Sequence, residues 1–500
     1  MVFCAIVAGL SVGFANLVAM NISDYILNPW VYWSLTAIYL VTVVSIIGVV
    51  LSENRNPLKS LAWVSVLLLF PVGGVALYIF FGRSIKNTHM ISRRNRRRLI
   101  SQGAFRDNAA MPRGLSAEAR QMAELGRSLA AAPLFTGNTA KAYHWGSDKF
   151  DDMLRDIAEA RQYINLQYYI FEDDNIGMRV AEALMSKARE GVRVCVIYDH
   201  IGSLHVKRKF FSRMRQAGIE VYPFFRVVFP LFGSRINWRN HRKICVIDGR
   251  IGYIGGMNVA DRYIDGGQRF DRWRDTHLRV TGPAVAALQY SFAVDWSFMG
   301  HELLDCETSV ATADNEAADA SMQLLTSGPT SEWSNVALQM LKAIGNAKKR
   351  IYLQTPYFLP TESLLRALQA AALARVDVRV MMPLHSDSLI LTYASRSYIL
   401  ESLRAGIKIY LYRAGMLHSK VMIIDDDYSS VGSANIDFRS FEHNFESTLF
   451  VNSVALNREL TRQFELDQAL SDRVRLNQWR RRPMTQKAIE SIVRLLSPIL

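Results

Sequence analysis

Residues 241–258 read HRKICVIDGRIGYIGGMN, and the same pattern returns without a gap as HSKVMIIDDDYSSVGSAN at residues 418–435. The two copies share six residues in one register: His241/His418, Lys243/Lys420, Ile247/Ile424, Asp248/Asp425, Gly255/Gly432 and Asn258/Asn435. One copy of so short a pattern carries little weight, but two copies in the same register indicate an internal duplication. The repeat therefore predicts two similar halves related by a pseudo-twofold axis.

Strand geometry says which of the shared side chains lie together. The histidine and the lysine are two positions apart, so on a strand they point to the same face. The aspartate is seven positions after the histidine, an odd offset, so it faces the other way or enters the turn. Asp248-Gly249 predicts a tight hairpin turn, after which the returning strand brings Asn258 back near the start. Each copy is therefore expected to offer one imidazole, one ammonium and one amide on a common surface.

Two such sets around one pocket suit phosphodiester chemistry. The lysines and asparagines can hold the non-bridging oxygens, while one histidine attacks phosphorus and the other protonates the departing alkoxide. The two imidazoles must then differ in protonation, and an ordinary histidine pKa near 6.5 can be shifted either way. Asp275 and Glu446 follow the respective histidines by 34 and 28 residues. We expect these carboxylates to bind the far ring nitrogens and to orient the histidines.

The segments around each repeat alternate between strand and helix patterns. Aromatic and β-branched runs predict strands, and apolar residues at spacings of three and four predict helices. The succession is strand, helix, strand at 161–171, 180–188 and 192–199 in the first half, and at 350–358, 363–373 and from 378 in the second. This order predicts an α/β fold with right-handed βαβ crossovers. We expect domains at 138–307 and 329–500, separated by a Ser/Ala-rich linker at 308–328.

The first hundred residues have the composition of a membrane anchor. Residues 30–51 and 60–82 carry no charge, and each run exceeds the roughly 20 residues that a helix needs to cross a bilayer. Residues 2–20 are also uncharged and predict either a third span or an interfacial segment. The sequence therefore predicts an anchor at 1–98 with transmembrane helices, followed by a linker at 99–137.

Charge indicates both the orientation and the class of partner. The chain has 59 basic and 45 acidic residues and a net charge of +14, which favours anionic partners. Seven basic residues follow the second apolar run closely, whereas the loop between the runs has two, so the positive-inside rule places the rest of the chain in the cytoplasm. The four scattered cysteines form no CxxC pair, and no Walker or HExxH motif is present. No metal or cofactor is expected.

The doubled pattern H-x-K-x4-D with G-x2-N downstream resembles the phospholipase D superfamily. With apolar runs ahead of both copies, the chain is similar more specifically to bacterial cardiolipin synthases. The likeness extends over nearly the whole chain and includes residues 56–83, INLQYYIF, DRWRDTH from Asp271 and RLLSPIL from Arg494. It implies an enzyme of the inner membrane, multi-pass, with cytoplasmic catalytic domains. It also implies phosphatidylglycerol and anionic lipid as partners, and no nucleic acid.

The resemblance further implies a two-step exchange without metal or organic cofactor. A histidine displaces glycerol from one phosphatidylglycerol, and a hydroxyl of a second phosphatidylglycerol then attacks, giving cardiolipin. Carried onto this sequence, His241 is the nucleophile and His418 the general acid and base. Phosphate binding falls to Lys243, Lys420, Asn258 and Asn435. Asp248 and Asp425 complete the catalytic motifs in a structural role.

Three other functions stay open at this point. A hydrolase would use water to resolve the same intermediate. A nuclease of the same fold would also suit the positive charge. A non-catalytic membrane scaffold would need neither histidine, which the intact histidine, lysine and asparagine in both copies disfavour.

Overall fold

The structure is a computed structural model. It describes residues 29–52, 57–70, 73–75, 78, 90, 92–99, 115–226, 238–304, 318–495 and 497. The chain divides into two compact units, which are described separately. One comprises Met1–Ser84 with Val228–Asn237, and the other comprises Ile85–Val227 with Trp238–Leu500.

The first unit contains helices α1 (Pro29–Ser52) and α2 (Pro57–Leu69). α1 has 24 residues without a charged side chain, and several large apolar residues on it are exposed, such as Trp33, Val41 and Val44. Across the residues that the structure describes, no helix combines the length and apolar character needed to cross a membrane. The predicted spans at 30–51 and 60–82 are therefore not confirmed. α2 ends two residues before Pro71, where the proline ring disfavours further helix.

Other anchor predictions fall outside the described residues. This holds for the segment 2–20 and for part of the second apolar run, at 71–72, 76–77 and 79–82.

The second unit alternates strands and helices. Its first half contains α3 (Arg93–Leu99), α4 (Ala117–Ala130), β1 (Phe135–Tyr143), α5 (Gly146–Ala158), β2 (Tyr163–Tyr168), α6 (Asn175–Arg189), β3 (Arg193–Asp199), α7 (Arg208–Gln216), β4 (Glu220–Phe224), β5 (Ile244–Ile247), β6 (Ile251–Gly255), α8 (Arg262–Asp265), β7 (Trp273–Arg274), β8 (His277–Thr281) and α9 (Val285–Phe298). Its second half contains β9 (Ala320–Ser327), α10 (Asn335–Asn346), β10 (Arg350–Gln354), α11 (Glu362–Leu373), β11 (Asp377–Pro383), α12 (Leu389–Ser397), α13 (Ile399–Arg404), β12 (Lys408–Tyr412), β13 (Met416–Leu417), β14 (Val421–Ile424), β15 (Tyr428–Gly432), α14 (Phe438–Glu442), β16 (Glu446–Asn452), α15 (Val454–Ala469), β17 (Ser471–Arg473), α16 (Leu476–Arg480) and α17 (Met484–Arg494).

Helix α6 forms where the sequence supplies both a cap and an apolar stripe. In α6, the carboxylate of Asp174 accepts a hydrogen bond from the backbone N–H of Gly177 and so caps the helix. Val180, Ala181 and Leu184 lie on the buried face of that helix, at the spacing that one face of an α-helix requires. α6 thus returns the chain across the sheet between β2 and β3, which pair in parallel.

A single mixed sheet of fifteen strands carries the duplication, in the order β17-β12-β11-β10-β14-β15-β16-β9-β1-β8-β6-β5-β2-β3-β4. In the second half, the strands run β12, β11, β10, β14, β15, β16 and β9 towards the centre of the sheet. In the first half, their equivalents run in the same order: β4, β3, β2, β5, β6, β8 and β1. β10 and β11 pair in parallel as β2 and β3 do, which confirms the predicted βαβ units. β1 and β9 pair antiparallel at the centre and join the halves. One apolar cluster draws residues from both halves, including Val246, Leu278, Met322 and Val451.

Strands β1 and β9 occupy ranges whose composition predicts linkers. β1 begins at Phe135, inside 99–137, and β9 takes Ala320–Ser327, inside 308–328. The side chain of Gln323 on β9 is buried and donates hydrogen bonds to the carbonyls of Ala123 and Ala132. Small and polar residues here fill a buried seam between elements, so their composition does not mark a solvated linker.

Asp248 and Asp425 close the two predicted hairpins, which the pairing of β5 with β6 and of β14 with β15 confirms. Both residues have positive φ, 51° and 47°, in the turns. Each carboxylate accepts backbone hydrogen bonds of 2.7–3.0 Å from the start of a neighbouring strand, at Arg161, Gln162 and Tyr163, and at Lys348, Lys349 and Arg350. Seven residues of extended chain, about 23 Å, separate each aspartate from its motif histidine. These contacts favour a structural role for both aspartates.

Replacing Asp425 by Asn should lower the free energy of unfolding by about 1–3 kcal/mol, because charge-assisted hydrogen bonds to three amides are weakened. Denaturant unfolding of the detergent-solubilised protein measures this loss. The activity of the folded fraction should not change. Asp426→Asn is the matched control, since that side chain is 56% exposed and forms surface ion pairs with Lys349 and Arg350. A stability unaffected by Asp425→Asn, or equal losses for both variants, would contradict this role.

Candidate active site

The motif histidines and lysines lie just ahead of β5 and β14. His241 and His418 are largely buried, with 13% and 8% of their side chains exposed, and Lys243 and Lys420 are buried beside them. The ammonium of Lys243 donates to the carbonyl oxygen of His241 at 2.6 Å. Lys420 donates to the carbonyl oxygen of His418 in the same way. Each half thus holds its ammonium next to its own imidazole, as the two-residue spacing predicts.

The segment before each histidine crosses to the other half of the protein. β13 pairs in parallel with β7, and the N–H of His418 donates to the carbonyl of Arg274 at 2.7 Å. Equivalently, the N–H of His241 donates to the carbonyl of Phe445 at 2.9 Å. The residues that follow Arg274 and Phe445 are Asp275 and Glu446. The backbone therefore delivers each carboxylate to the histidine of the opposite half.

Both carboxylates bind the Nδ1 atoms of those histidines. Nδ1 of His241 lies 3.0 Å from Oε1 of Glu446, and Nδ1 of His418 lies 2.6 Å from Oδ2 of Asp275. The order along the chain predicts that each carboxylate orients the histidine that precedes it. This prediction is wrong, because Glu446 binds His241 and Asp275 binds His418, each across the two halves. A carboxylate that accepts a hydrogen bond from Nδ1 favours the neutral tautomer with its proton on Nδ1. Nε2 then carries no proton. The imidazole of His241 is thereby oriented with Nε2 available for chemistry.

A glycine in one half and a serine in the other accommodate the unequal carboxylates. A Cβ atom on Gly256 would lie 2.1 Å from Oδ1 of Asp275, so no side chain fits there. At the equivalent position, Ser433 donates a hydrogen bond to the carboxylate of Glu446. The difference between GGMN and GSAN therefore follows the difference between Asp275 and Glu446 in the facing strands.

Burial is the largest influence on the pKa of both imidazoles. It lowers the pKa of His241 below 6.5, and the ammonium groups of Lys243 and Lys420 lower it further, against the opposing effect of Glu446. Burial and then Lys420 lower the pKa of His418 to about 4, although Asp275 acts the other way. Because Lys420 acts on His241 in the other half, the two motifs form one electrostatic site.

The lysines are shifted as well. Burial lowers the pKa of Lys243 to about 7, and Glu446 opposes the shift. Burial lowers the pKa of Lys420 to about 8, with Asp275 acting against it. Burial alone would raise the pKa of Asp275, but Lys420 and His418 outweigh it and the net pKa is lowered. The site is poised to bind an anion, which would favour the charged form of each ammonium.

The two motif asparagines differ in their contacts. Asn258 accepts from the N–H of Ile170 at 3.1 Å and donates to the hydroxyl of Tyr263 at 2.5 Å, so both ends of its amide are engaged. The side-chain oxygen of Asn435, by contrast, is buried with no hydrogen-bond partner in the described part of the chain. The predicted phosphate ligands are thus not equivalent in the two halves.

Aromatic rings that the motif analysis did not single out enclose the imidazoles. The ring of Tyr169 meets that of His241 at 5.0 Å between centroids, and Trp273 and Tyr263 lie 5.3 and 5.9 Å from His418. Trp273 belongs to the DRWRDTH segment. The alternation of residue types in that segment does not show which of its two faces lies towards a site. Over the described ranges, no group of three or more metal-ligating side chains is arranged to hold a metal ion.

The fold and this site define a protein of the phospholipase D type, and comparison with known families agrees. The family model "Cardiolipin synthase, PLD-like domain" matches residues 153–296 and 340–468, and "Phospholipase_D-nuclease N-terminal" matches residues 37–83. These matches cover more than half of the chain. The chain belongs to the cardiolipin synthase family of PLD-like proteins.

Individual relatives support the same family. The major cardiolipin synthase of Bacillus subtilis (strain 168) is 36% identical over 93% of this chain and 98% of its own length. A cardiolipin synthase of Halalkalibacterium halodurans is 37% identical over 94% of this chain and 95% of its own. The crystal structure of phosphatidylserine synthase from Haemophilus influenzae Rd KW20 aligns with a TM-score of 0.58. That alignment covers 76% of this chain and 100% of the other at 14% identity, a likeness of fold alone.

Gly256→Ser should lower the catalytic rate by about 100-fold, because the new side chain must displace Asp275 and with it His418. The matched variant Ser433→Gly removes a hydrogen bond and creates no clash, so we expect a loss of about tenfold. Initial rates per folded protein test both. Equal rates for Gly256→Ser and the unchanged protein would contradict the packing argument.

The pH profile of kcat/KM should reflect the free site. Above pH 7 to 8 it should fall as Lys243 and Lys420 lose the charge that binds an anion. Because the first step needs one proton between the two imidazoles, kcat/KM should also decline where both are neutral, and on the acid side it should fall only where both are protonated and neither can attack. Initial rates across this range provide the measurement. A plateau reaching the ordinary lysine value of 10.5 would contradict the lowered lysine pKa values.

Proposed function

We propose that this protein is a cardiolipin synthase that transfers a phosphatidyl group from one phosphatidylglycerol to a hydroxyl of another. The products are cardiolipin and glycerol. Family membership supports the reaction class. The observation that carries the mechanism is the pair of imidazoles, each held by a carboxylate of the opposite half with a buried lysine beside it.

In the first step, Nε2 of His241 attacks phosphorus and the bond between phosphorus and the glycerol oxygen breaks. Glu446 on Nδ1 holds the ring and stabilises its developing positive charge. His418 donates a proton to the departing oxygen, so glycerol leaves as a neutral alcohol. A phosphatidyl group then remains on His241.

Substrate binding supplies the protonation that this step needs. The low pKa of His241 keeps the nucleophile neutral. The anionic phosphodiester opposes the shifts of His418 and both lysines, since a nearby negative charge favours the protonated forms. Lys243 and Lys420 bind its non-bridging oxygens, together with Asn258 and Asn435. For Asn258 this requires exchange of its hydrogen bond with Tyr263.

In the second step, the hydroxyl of a second phosphatidylglycerol takes the place of glycerol. His418 accepts the hydroxyl proton, the oxygen attacks phosphorus, and the bond to His241 breaks. One phosphodiester has replaced another, so the exchange is reversible and needs no cofactor. Hydrolysis would follow if water took the same position.

The repeated motifs suggest two phospholipase D-like domains related by a pseudo-twofold axis, the first beginning with β1 at Phe135 and the second with β9 at Ala320. Support comes from the repeated strand succession and from the reciprocal pairs His241–Glu446 and His418–Asp275. The nucleophile and the acid then approach phosphorus from opposite sides, as in-line displacement requires.

The proposed site of action is the cytoplasmic face of the bacterial inner membrane, with spans at 30–51 and 60–82 in an anchor at 1–98. The match of residues 37–83 to the N-terminal family model and the exposed apolar side chains on α1 support it. The arginines of α3 are exposed, while its Leu99 packs against α9 of the catalytic unit. Each arginine near anionic lipid contributes about 1 kcal/mol of attraction.

Purified protein incubated with labelled phosphatidylglycerol in micelles should release cardiolipin and glycerol in equal amounts, resolved by mass. Phosphatidic acid as the sole lipid product would make the protein a hydrolase. The absence of lipid turnover together with cleavage of oligonucleotides would make it a nuclease.

Role assignment needs a separate trapping experiment. Given the phosphatidyl ester of p-nitrophenol, whose leaving group needs no proton, the His418→Ala variant should accumulate a phosphatidyl group on His241, because the second step lacks its base. Label on His418 in a His241→Ala variant would reverse the roles.

A further inference from the structure

Two buried aspartates outside the motifs each hold an arginine that adjoins the active site. Oδ1 of Asp295 accepts from Nη1 of Arg242 at 2.5 Å, and Oδ2 of Asp467 accepts from Nη2 of Arg274 at 3.0 Å. At most 4% of any of these four side chains is exposed. Neither ion pair belongs to the chemistry described so far.

The two aspartates occupy equivalent places. Asp295 lies on α9 and accepts from Gln167 on β2 at 2.5 Å. Asp467 lies on α15 and accepts from Gln354 on β10 at 2.8 Å. The duplication has therefore kept the same aspartate and glutamine beneath both halves of the site.

Each arginine binds the backbone of the residue that orients a histidine. Nε of Arg242 donates to the carbonyl oxygen of Glu446 at 3.2 Å, and Nη1 of Arg274 donates to the carbonyl oxygen of Asp275 at 2.6 Å. Glu446 and Asp275 hold His241 and His418 respectively.

The immediate neighbours of the histidines are held as well. Asp295 binds both residues that flank His241, Arg242 and Asn240, the latter at 3.0 Å. Arg274 donates at 3.1 Å to Ser419, the residue after His418. Asp295 thus restrains His241 and Glu446 together, and Asp467 restrains His418 and Asp275 together through Arg274.

We infer that Asp295 and Asp467 are positioning residues, one for each imidazole, that act through Arg242 and Arg274. The His241 clamp (Asp295 with Arg242) lies within the first half, whereas the His418 clamp (Asp467 with Arg274) joins the two halves. A buried ion pair is a poor source of stability, since apolar side chains of equal volume often serve as well. A displacement of about 1 Å in a reacting group, by contrast, costs about 100-fold in rate.

Disrupting the His241 clamp and disrupting the His418 clamp should have different effects on the reaction rate. This expectation rests on the proposed roles of His241 as nucleophile and His418 as acid. A misplaced acid matters only when the leaving group needs a proton. The phosphatidyl ester of p-nitrophenol releases a stable phenolate and needs none. A misplaced nucleophile impairs attack on either substrate.

The test compares two double variants, Arg242→Met/Asp295→Leu and Arg274→Met/Asp467→Leu, which replace each ion pair by apolar groups of similar volume. Single variants Asp295→Asn and Asp467→Asn serve where a double variant does not fold. With phosphatidylglycerol, we expect kcat to fall about 100-fold in both, with KM little changed. With the p-nitrophenyl ester, the rate of the initial nitrophenolate burst measures the first step. We expect this rate in the His418-clamp variant to lie within about tenfold of that of the unchanged protein, and the rate in the His241-clamp variant to lie further below it.

Asp156→Asn is the control, because Asp156 accepts hydrogen bonds from Arg279, at 2.7 and 3.0 Å, and from the hydroxyl of Tyr253, and neither residue takes part in the proposed chemistry. It should alter stability without a difference between the two substrates. The inference is overturned if both clamp variants keep their activity, or if both lose it equally with both substrates. The opposite pattern of rescue would support the clamps and overturn the proposed assignment of nucleophile and acid. An unchanged protein that turns over neither lipid would overturn the proposed function itself.

Discussion

The catalytic unit depends on two buried carboxylates, each of which serves the other half of the protein. Glu446 and Asp275 are at most 1% exposed, and a carboxylate so placed is costly unless cations and hydrogen-bond donors surround it. Their partners are His241 and His418 across the seam. Separating the halves would deprive each carboxylate of its imidazole and of the lysine of the opposite half. The same contacts that join the halves therefore assemble the site.

The duplicated halves have diverged where chemistry requires a difference. Displacement at phosphorus uses one imidazole as the nucleophile and the other as the acid, so the two rings must differ in protonation when the reaction begins. The short Asp275 faces Gly256, whereas the longer Glu446 is met by Ser433. Burial and the local cations lower the pKa of both imidazoles, which leaves the incoming phosphate to establish which one is charged. The common strand succession thus supports a site with two unlike sides.

Several features followed from local pattern. Alternation on a strand placed His241 with Lys243, and the Asp-Gly turn predicted the hairpin between β5 and β6. The strand and helix periods predicted the βαβ units, because each depends on a few neighbouring residues. Composition failed at β1 and β9, where the polar side chain of Gln323 is buried with backbone partners. Nor did any local pattern reveal Asp295, whose partners lie 53 and 128 residues away.

The repeat, the residue types of the site and their spacing along each strand could all be read from the sequence alone. These are properties of short segments, or of the comparison of residues 241–258 with residues 418–435. Only the tertiary structure decided which carboxylate meets which imidazole. It also decided that Asp248 and Asp425 anchor strand starts far from the histidines. The first outcome depends on two crossings between the halves, that of β13 to β7 and that of Asn240 to Phe445. A crossing brings together residues more than a hundred positions apart, and no spacing along the chain records which strands will pair.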